Sequence, residues 1–177
     1  MIFGDTETTG LILPSANRLI HQPYIIEGYF CKTDKKLNFI EDLEFLLDPE
    51  VEIPEFITKI TGISNDDIIG KPKFVNIYDR LCDFFLGETD FIAHNVEFDI
   101  GMLKIELQRI EKEFNFPWPR NHICTIEKTM HLENKMLKLE KLHEYATGKP
   151  HTNNAHRAKY DVFALIRCYK WIIKNNE

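Results

Sequence analysis

Two carboxylates stand two positions apart near the start of the chain, at Asp5 and Glu7 in the run GDTE. On a β-strand, residues i and i+2 point to the same face, so these two side chains would lie next to each other. Neighbouring carboxylates raise each other's pKa unless a cation lies between them, and such oxygen ligands suit hard divalent cations. For an isolated D-x-E tripeptide an exposed polar strand end is the better interpretation, because the tripeptide is common by chance, so the pair alone does not predict a metal site.

A second polar cluster, HNVEFD at 94–99, follows an apolar segment and opens a predicted helix. The passage from strand to helix is where α/β sheets usually build their sites. Asp99 lies in the first helical turn, where the helix dipole favours a carboxylate, so helix capping is the competing interpretation. A lone His94 is more often a hydrogen-bonded structural residue than a catalyst.

The third cluster is HRAKYD at 156–161. With about 3.6 residues per helical turn, side chains five positions apart lie far apart around the axis. His156 and Asp161 can therefore act at one centre only if His156 lies on the loop HTNNAH before the helix and Asp161 on the second helical turn. Asp161 is adjacent to apolar Val162, and a carboxylate there needs a partner, for which a metal would serve.

Apolar periodicity and turn residues predict the elements that hold these clusters. Gly62 and Gly148 are expected to follow helix ends, and Pro72 to open a helix. Three strands come first and helices then alternate with strands, which is typical of an α/β domain around one mixed sheet. The predicted strands are 1–7, 24–31, 43–47, 90–94 and 123–126, and the predicted helices are 55–60, 72–86, 97–112, 137–146 and 158–173.

Length and composition limit the class of protein. The 177 residues fit one domain, and 44% apolar with 28% charged residues is an ordinary globular balance. No apolar run reaches the roughly 18 residues that span a membrane, and the acidic N-terminus is not that of a signal peptide. Four scattered cysteines are expected to be reduced, which predicts a cytoplasmic protein: Cys31, Cys82, Cys124 and Cys168.

The net charge of −6 is unevenly distributed. Residues 1–119 hold 11 Lys and Arg against 22 Asp and Glu, whereas residues 120–160 hold 8 against 4. A basic segment on an acidic body can bind nucleic acid locally, particularly where cations neutralise carboxylates. A solvated helix face explains its lysines equally well. These lysines are Lys128, Lys135, Lys138 and Lys141.

Together the three clusters resemble the motifs of the DEDDh exonucleases, in particular the group of the proofreading epsilon subunits of bacterial replicative polymerases. FGDTETTG resembles the first motif, HNVEFD the second and HRAKYD the third, and the TGI segment at 61–63 also matches, so the resemblance covers nearly the whole chain. It implies a ribonuclease H-like α/β fold, with a central five-stranded mixed sheet flanked by helices, as one domain over residues 1–177.

The resemblance also implies an activity and its metal ions. A protein of this kind is a 3′–5′ exonuclease that releases nucleoside monophosphates from the 3′ end of DNA, preferably single-stranded, in a proofreading or end-trimming role. Its two-metal mechanism uses two divalent cations, Mg²⁺ or Mn²⁺. Carried over by position, the four metal-binding acids are Asp5, Glu7, Asp99 and Asp161.

The general base implied by the resemblance is His156, which distinguishes this branch from the one that uses tyrosine. An ordinary histidine pKa of about 6.5 suits proton removal from water at neutral pH. Tyr160 is not the base by this reading, because the tyrosine branch has its Tyr four residues before the Asp, where this chain has Arg157. His151 lies on the same loop but lacks the H-x4-D spacing.

This chain departs from the family pattern at three places, and the resemblance also implies which residues contact the substrate. Lys159 stands where the family usually has Leu, the strand before Asp5 is short, and the chain ends at Glu177 without the extension that tethers the epsilon subunit. A polymerase partner is therefore in doubt, and nucleic acid with single-stranded 3′ ends is the expected partner, with no membrane. The positions that touch the terminal nucleotides in the family are Thr8, Thr9, Gly10, Leu11, Asn95 and Phe98.

Two alternatives remain at this point. An RNA-trimming exoribonuclease of the same superfamily, similar to ribonuclease T, would use the same motifs, since the choice of DNA or RNA depends on contacts to the sugar. Oligoribonuclease is disfavoured because its second motif differs from HNVEFD. A catalytically idle nucleic-acid-binding module would lack one of the four acids or His156, and all five are present.

Overall fold

The computed structural model describes residues 1–151 and 156–175. Its centre is a five-stranded sheet in the order β3-β2-β1-β4-β5. β1 pairs antiparallel with β2, which pairs antiparallel with β3, whereas β1–β4 and β4–β5 are parallel. The predicted mixed sheet is therefore confirmed. The strands are β1 (Ile2–Thr8), β2 (Ile25–Thr33), β3 (Phe39–Leu46), β4 (Asp90–Ala93) and β5 (Asn121–Cys124).

Helices cover both faces of this sheet. Ile2 of β1 lies in a core with Phe30, Phe85 and Leu103, and its neighbour Phe3 lies in the opposite core. Burying one such side chain contributes about 1.5–3 kcal/mol, so both layers stabilise the position of β1. The helices are α1 (Glu55–Thr61), α2 (Asn65–Ile68), α3 (Phe74–Phe85), α4 (Val96–Arg109), α5 (Thr125–Thr129), α6 (Leu139–Thr147) and α7 (Ala158–Asn175).

The two cores assign each helix to a face. α3 and α4 pack on the face of Ile2, while α7 packs on the face of Phe3 through Ala158, Val162 and Leu165. α6 packs against the outer side of α7 through Leu142. The chain thus has the architecture that the resemblance implied, a ribonuclease H-like α/β fold with helices on both sides of a mixed sheet.

The helix ends agree with the glycine signals. Gly62 and Gly148 follow α1 and α6 with φ angles of 73° and 70°, in the left-handed region that glycine adopts without steric cost. Pro72 does not open α3, which begins at Phe74. Instead the Pro72 carbonyl accepts a hydrogen bond from the Asp48 amide at 3.0 Å.

Two other predicted positions are wrong, and the structure has short helices that were not predicted. The strand predicted at 123–126 is shifted, because β5 pairs with β4 from Asn121 to Cys124 and the chain then turns into α5. α2 was not predicted, since its four residues are too few for a periodic signal. α7 begins at Ala158, as predicted, but Asp161 is its fourth residue and therefore lies in the first turn, not the second. Residues 152–155 of the predicted HTNNAH loop lie outside the described residues.

All four cysteines carry free thiols, as expected. Across residues 1–151 and 156–175, no helix combines the length and apolar character that crossing a membrane requires.

Candidate active site

β1 presents the first two acids. Phe3, Asp5 and Glu7 alternate along the strand, so the two carboxylates share the face of Phe3, on which α7 packs. The β1–β2 pairing continues in register to Glu7, opposite Glu27, and becomes irregular before Thr8. The prediction that Asp5 and Glu7 lie on one face of a strand is confirmed.

The third acid, Asp99, comes from the first turn of α4. α4 starts directly after β4, and Asn95 makes this sharp turn with a left-handed φ of 77°. Asp99 is buried, and the Thr6 hydroxyl donates a hydrogen bond to its Oδ1 atom at 2.9 Å. Thr6 thus orients Asp99, a contact that the sequence analysis did not identify although Thr6 stands between the first two acids.

The fourth acid, Asp161, lies in the first turn of α7 and is held by two histidines. The His156 backbone amide donates to Asp161 Oδ2 at 2.9 Å. The Nε2 atom of His151 lies 2.6 Å from Asp161 Oδ1. The His156 side chain is half exposed, and its Nε2 atom is 3.9 Å from Glu140 Oε1. Both histidines that the sequence analysis weighed therefore reach this acid, in different ways.

These elements converge on one cavity of about 420 Å³. Ligand atoms of Glu7, His156 and Asp161 lie within 4.8 Å of one another, close enough to share a single cation. The segment from Met136 to Glu140 forms another wall. The predicted catalytic residues all line the cavity: Asp5, Glu7, Asp99, His156 and Asp161.

Burial raises the pKa of all four acids, and neighbouring carboxylate charges add to the rise at Asp5 and Glu7. Burial, followed by the charges of Asp99 and Glu7, raises the pKa of Asp5. Burial and the charge of Asp161 raise the pKa of Glu7 to about 8. Burial raises the pKa of Asp99 to about 7 even though Thr6 stabilises its carboxylate. Burial also raises the pKa of Asp161, against the hydrogen bond from His151.

This donor set fits a divalent cation. Four carboxylates with raised pKa values in one cavity are unstable as anions, and bound positive charge relieves their repulsion. Oxygen ligands of this kind are those that Mg²⁺ and Mn²⁺ prefer. Glu7, His156 and Asp161 have ligand atoms close enough to share one such ion, and Asp5 and Asp99 add two further carboxylates to the same cavity.

His94 is structural, as the sequence analysis expected. Its Nδ1 atom lies 2.9 Å from the Thr125 hydroxyl, and its Nε2 atom lies 2.9 Å from the Leu137 carbonyl oxygen. Burial lowers its pKa, which favours the neutral ring. His94 thereby ties the 136–140 wall of the cavity to the sheet, although no motif in the sequence indicated that this segment belongs to the site.

Four of the six predicted nucleotide-binding residues line one of two depressions in the surface. Phe98 lines the cavity beside Asp99. Thr9, Gly10 and Leu11 line another groove, of about 350 Å³, and Leu11 is 77% exposed.

The other two, Thr8 and Asn95, differ in burial. Thr8 is buried and donates to the Gly10 carbonyl oxygen at 2.6 Å, whereas Asn95 is exposed at the start of α4.

Fold and site define a class of protein: a ribonuclease H-like α/β domain with an acidic, metal-compatible cavity. The exonuclease family of the RNase T type matches residues 2–169, and the chain belongs to this family. The predicted exonuclease-family resemblance is confirmed.

The chain is also similar to individual exonucleases and exonuclease subunits. The chain is 34% identical over 109 residues to the DNA polymerase III epsilon subunit of Treponema pallidum, covering 62% of this chain and 46% of that protein. It is 26% identical over 171 residues to the epsilon subunit of Buchnera aphidicola, covering 93% of this chain and 69% of that one. The fold is similar to E. coli exonuclease I bound to a dA16 oligonucleotide, with a TM-score of 0.76 and 20% identity over 98% of this chain and 40% of that one.

Proposed function

We propose that this chain is a metal-dependent 3′–5′ exonuclease that releases nucleoside monophosphates from single-stranded 3′ ends of DNA. The observation that carries the proposal is the convergence of four carboxylates, Asp5, Glu7, Asp99 and Asp161, on one cavity with raised pKa values. Perturbed carboxylates gathered in a cleft are typical of a functional site. Family membership supports the reaction class.

We assign the four carboxylates to two divalent cations, Mg²⁺ or Mn²⁺. Bound there, the cations would supply stabilisation of the charge on the phosphate and on the leaving oxygen. Thr6 keeps Asp99 oriented for this role through its hydrogen bond at 2.9 Å. The amide of His156 does the same for Asp161.

His156 is the proposed general base. A water oxygen attacks phosphorus, the water proton passes to the His156 ring, and the bond from phosphorus to the 3′ oxygen of the preceding nucleotide breaks. The departing 3′ oxygen takes a proton from solvent. The half-exposed His156 side chain can exchange its proton with bulk water after each step. His151 hydrogen-bonds Asp161, which supports an orienting role.

The proposed substrate is a DNA strand with an unpaired 3′ end. The related epsilon subunits are parts of a DNA polymerase, and the structurally similar exonuclease I binds a single-stranded oligonucleotide. Phe98 at the cavity and exposed Leu11 are suited to stack on, or wedge between, terminal bases, and aromatic stacking contributes about 1–3 kcal/mol per base. Proofreading or end trimming is the corresponding role.

The direct test is a time course with 5′-labelled oligonucleotides in Mg²⁺, in Mn²⁺ and in EDTA. Single-stranded DNA should be shortened one nucleotide at a time in either metal and remain intact in EDTA. Matched blunt duplex and a strand with a 3′ phosphate should react more slowly, because the proposed grip is on a free 3′ end. Equal rates on all three, or cleavage of circular single-stranded DNA, would refute an exonuclease.

RNA of the same sequence separates the two substrate classes. Faster shortening of RNA than of DNA would identify an RNA-trimming enzyme. Binding of either strand with no shortening in both metals would identify an idle binding module.

A further inference from the structure

A fifth carboxylate, Glu27 on β2, lies next to the acid cluster without belonging to it. In the β1–β2 pairing Glu27 is directly opposite Glu7. Glu27 is only 4% exposed, and its charge contributes to the raised pKa values of both Asp5 and Glu7. A buried carboxylate in this position costs stability unless its oxygens are hydrogen-bonded.

Both Glu27 oxygens are occupied by the start of α7. The Arg157 Nη2 and Nε atoms donate to Oε1 at 2.6 and 3.0 Å, and Nε also donates to Oε2 at 3.1 Å. The Ala158 backbone amide donates to Oε2 at 2.9 Å. Glu27 therefore accepts a forked guanidinium and one of the amides that a helix N-terminus leaves without an intrahelical partner.

The residues that Glu27 holds lie between the two catalytic groups of this segment. Arg157 follows His156 directly, and its carbonyl oxygen accepts the Asp161 amide at 3.1 Å. His156 has a left-handed φ of 66°, which is uncommon for a residue with a Cβ atom, although histidine adopts it more often than most. Fixing Arg157 and Ala158 from the sheet thus fixes where α7 begins and where His156 and Asp161 stand.

We infer that Glu27 and Arg157 form one positioning unit that sets His156 and Asp161 at the metal site. The inference rests on the proposed function and deepens it. Neither residue ligates metal or touches the reacting phosphate in this assignment. Glu27 acts through the first turn of α7, because its oxygens are committed to Arg157 and Ala158.

The chain contains a matched control pair. Lys159 and Glu44 join the same helix to the same sheet at 2.7 Å, but both side chains are substantially exposed. Exposed pairs of this kind contribute little to stability. Glu44→Gln therefore removes a link between α7 and the sheet with the same chemical change as Glu27→Gln, but this link is exposed and its loss leaves the contacts of Glu27 with Arg157 and Ala158 in place.

The experiment measures Mn²⁺ binding by calorimetry without substrate, and kcat and KM on single-stranded DNA, for Glu27→Gln, Arg157→Gln, the double variant and Glu44→Gln. We expect Mn²⁺ affinity and kcat to fall about 10–100-fold in both single variants, as for other groups that orient metal ligands. KM should change little. The double variant should be no worse than either single one, because both changes remove the same unit. Glu44→Gln should match the unmodified chain.

Other results would overturn the inference. If Glu27→Gln kept full Mn²⁺ affinity and kcat, Glu27 would be a structural residue only. A higher KM with unchanged kcat in Arg157→Gln alone would make Arg157 a phosphate contact. Additive losses in the double variant would show two independent roles.

Two controls separate a loss of folding from a loss of positioning, and a failure of this inference from a failure of the proposed function. Arg157→Lys keeps the positive charge but loses the forked geometry of the guanidinium. We expect this variant to keep a native far-ultraviolet circular dichroism spectrum and still bind Mn²⁺ more weakly. If the unmodified chain has no nuclease activity, the proposed function fails, whereas the metal-binding comparison still tests Glu27.

Discussion

At the scale of the residue, Asp5 is the acid on which the others act most directly. The charges of Asp99, Glu7 and Asp161 all raise its pKa after burial. Asp5→Asn removes a ligand of nearly the same shape, so hydrolysis should fall by about 100-fold or more. In EDTA the same change removes like-charge repulsion. The melting temperature should therefore rise, and more at pH 9 than at pH 6, because the pKa of Asp5 is raised and its ionised, repelling form becomes more populated as pH rises.

The measurements for Asp5→Asn are an oligonucleotide time course in Mg²⁺ and thermal unfolding in EDTA. Retained hydrolysis, or a lower melting temperature at pH 9, would contradict the assignment of Asp5 to a metal-binding acid cluster.

The two histidines at Asp161 make a second residue-scale prediction. Loss of a general base costs about 10²–10⁴-fold in rate, so His156→Ala should lie in that range with Mn²⁺ still bound. His151→Ala should lose much less, because the His151 ring bonds Asp161 and packs against the ring of His143, whereas His156 lines the cavity. Tyr160→Phe is the control, since Tyr160 is 45% exposed. Single-turnover rates decide: a dead His151→Ala or Tyr160→Phe variant assigns the base elsewhere.

At the scale of the element, Gly4, directly before Asp5, allows β1 to pack closely against two phenylalanine rings. A Cβ atom at Gly4 would lie 2.6 Å from ring atoms of both Phe30 and Phe91. Gly4→Ala should therefore lower the free energy of unfolding by about 1–3 kcal/mol and reduce kcat, since the strand carrying Asp5 must shift. Gly101→Ala is the control, because there the contact is the flexible end of Ile12. Urea unfolding that found Gly4→Ala no worse than Gly101→Ala would contradict this account.

The 136–140 wall yields a second prediction at this scale. Lys135 and Lys141 pair with Glu133 and Glu144, whereas Lys138 lines the cavity. If Lys138 contacts a phosphate of the strand, Lys138→Gln should raise KM at constant kcat. It should also lower the salt dependence of binding by about one phosphate contact.

Lys128→Gln, in the same basic segment, makes the matched change on α5. Binding of single-stranded DNA across a range of salt concentrations compares the two variants. Identical slopes for both would mean that Lys138 belongs to a solvated face.

At the scale of the whole molecule, the acid cluster makes stability depend on pH. Glu7 has a folded-state pKa of about 8 against an ordinary value of 4.5, and Asp99 about 7 against 3.8. Between these values the folded chain binds more protons than the unfolded chain. In EDTA the contribution of Glu7 and Asp99 to the free energy of unfolding is therefore complete below about pH 4. It is lost as the pH rises through 7 to 8.

Urea unfolding at pH 5, 6.5 and 8 tests this dependence. Buried His94, whose pKa is lowered, acts in the opposite direction, so the informative quantity is the difference between the unmodified chain and Glu7→Gln. The free energy of unfolding of the unmodified chain should therefore fall relative to that of Glu7→Gln as the pH rises toward 8 in EDTA. Mn²⁺ should stabilise the unmodified chain at pH 8, by about 2.7 kcal/mol at a hundredfold excess over its Kd. A difference that does not change with pH would contradict the proposed protonation.

Local patterns in the sequence were enough to predict the class of fold, the family and which acids lie together in one cavity. Alternation along β1 puts Asp5 and Glu7 on one face, and Gly62 and Gly148 end helices, because these features depend only on neighbours in the chain. The three motifs identified an exonuclease-family chain, and its five predicted catalytic residues line one cavity.

Only the tertiary structure decided what depends on pairing between distant segments. The start of β5 follows from its register with β4, and the 136–140 wall is held by His94 across 43 residues. The contacts of Glu27 with Arg157 and Ala158 span 130 and 131 residues. Nothing local in YIIEGYF distinguishes a buried, fully hydrogen-bonded Glu27 from a solvated one, because burial and partners arise only when α7 packs on the sheet.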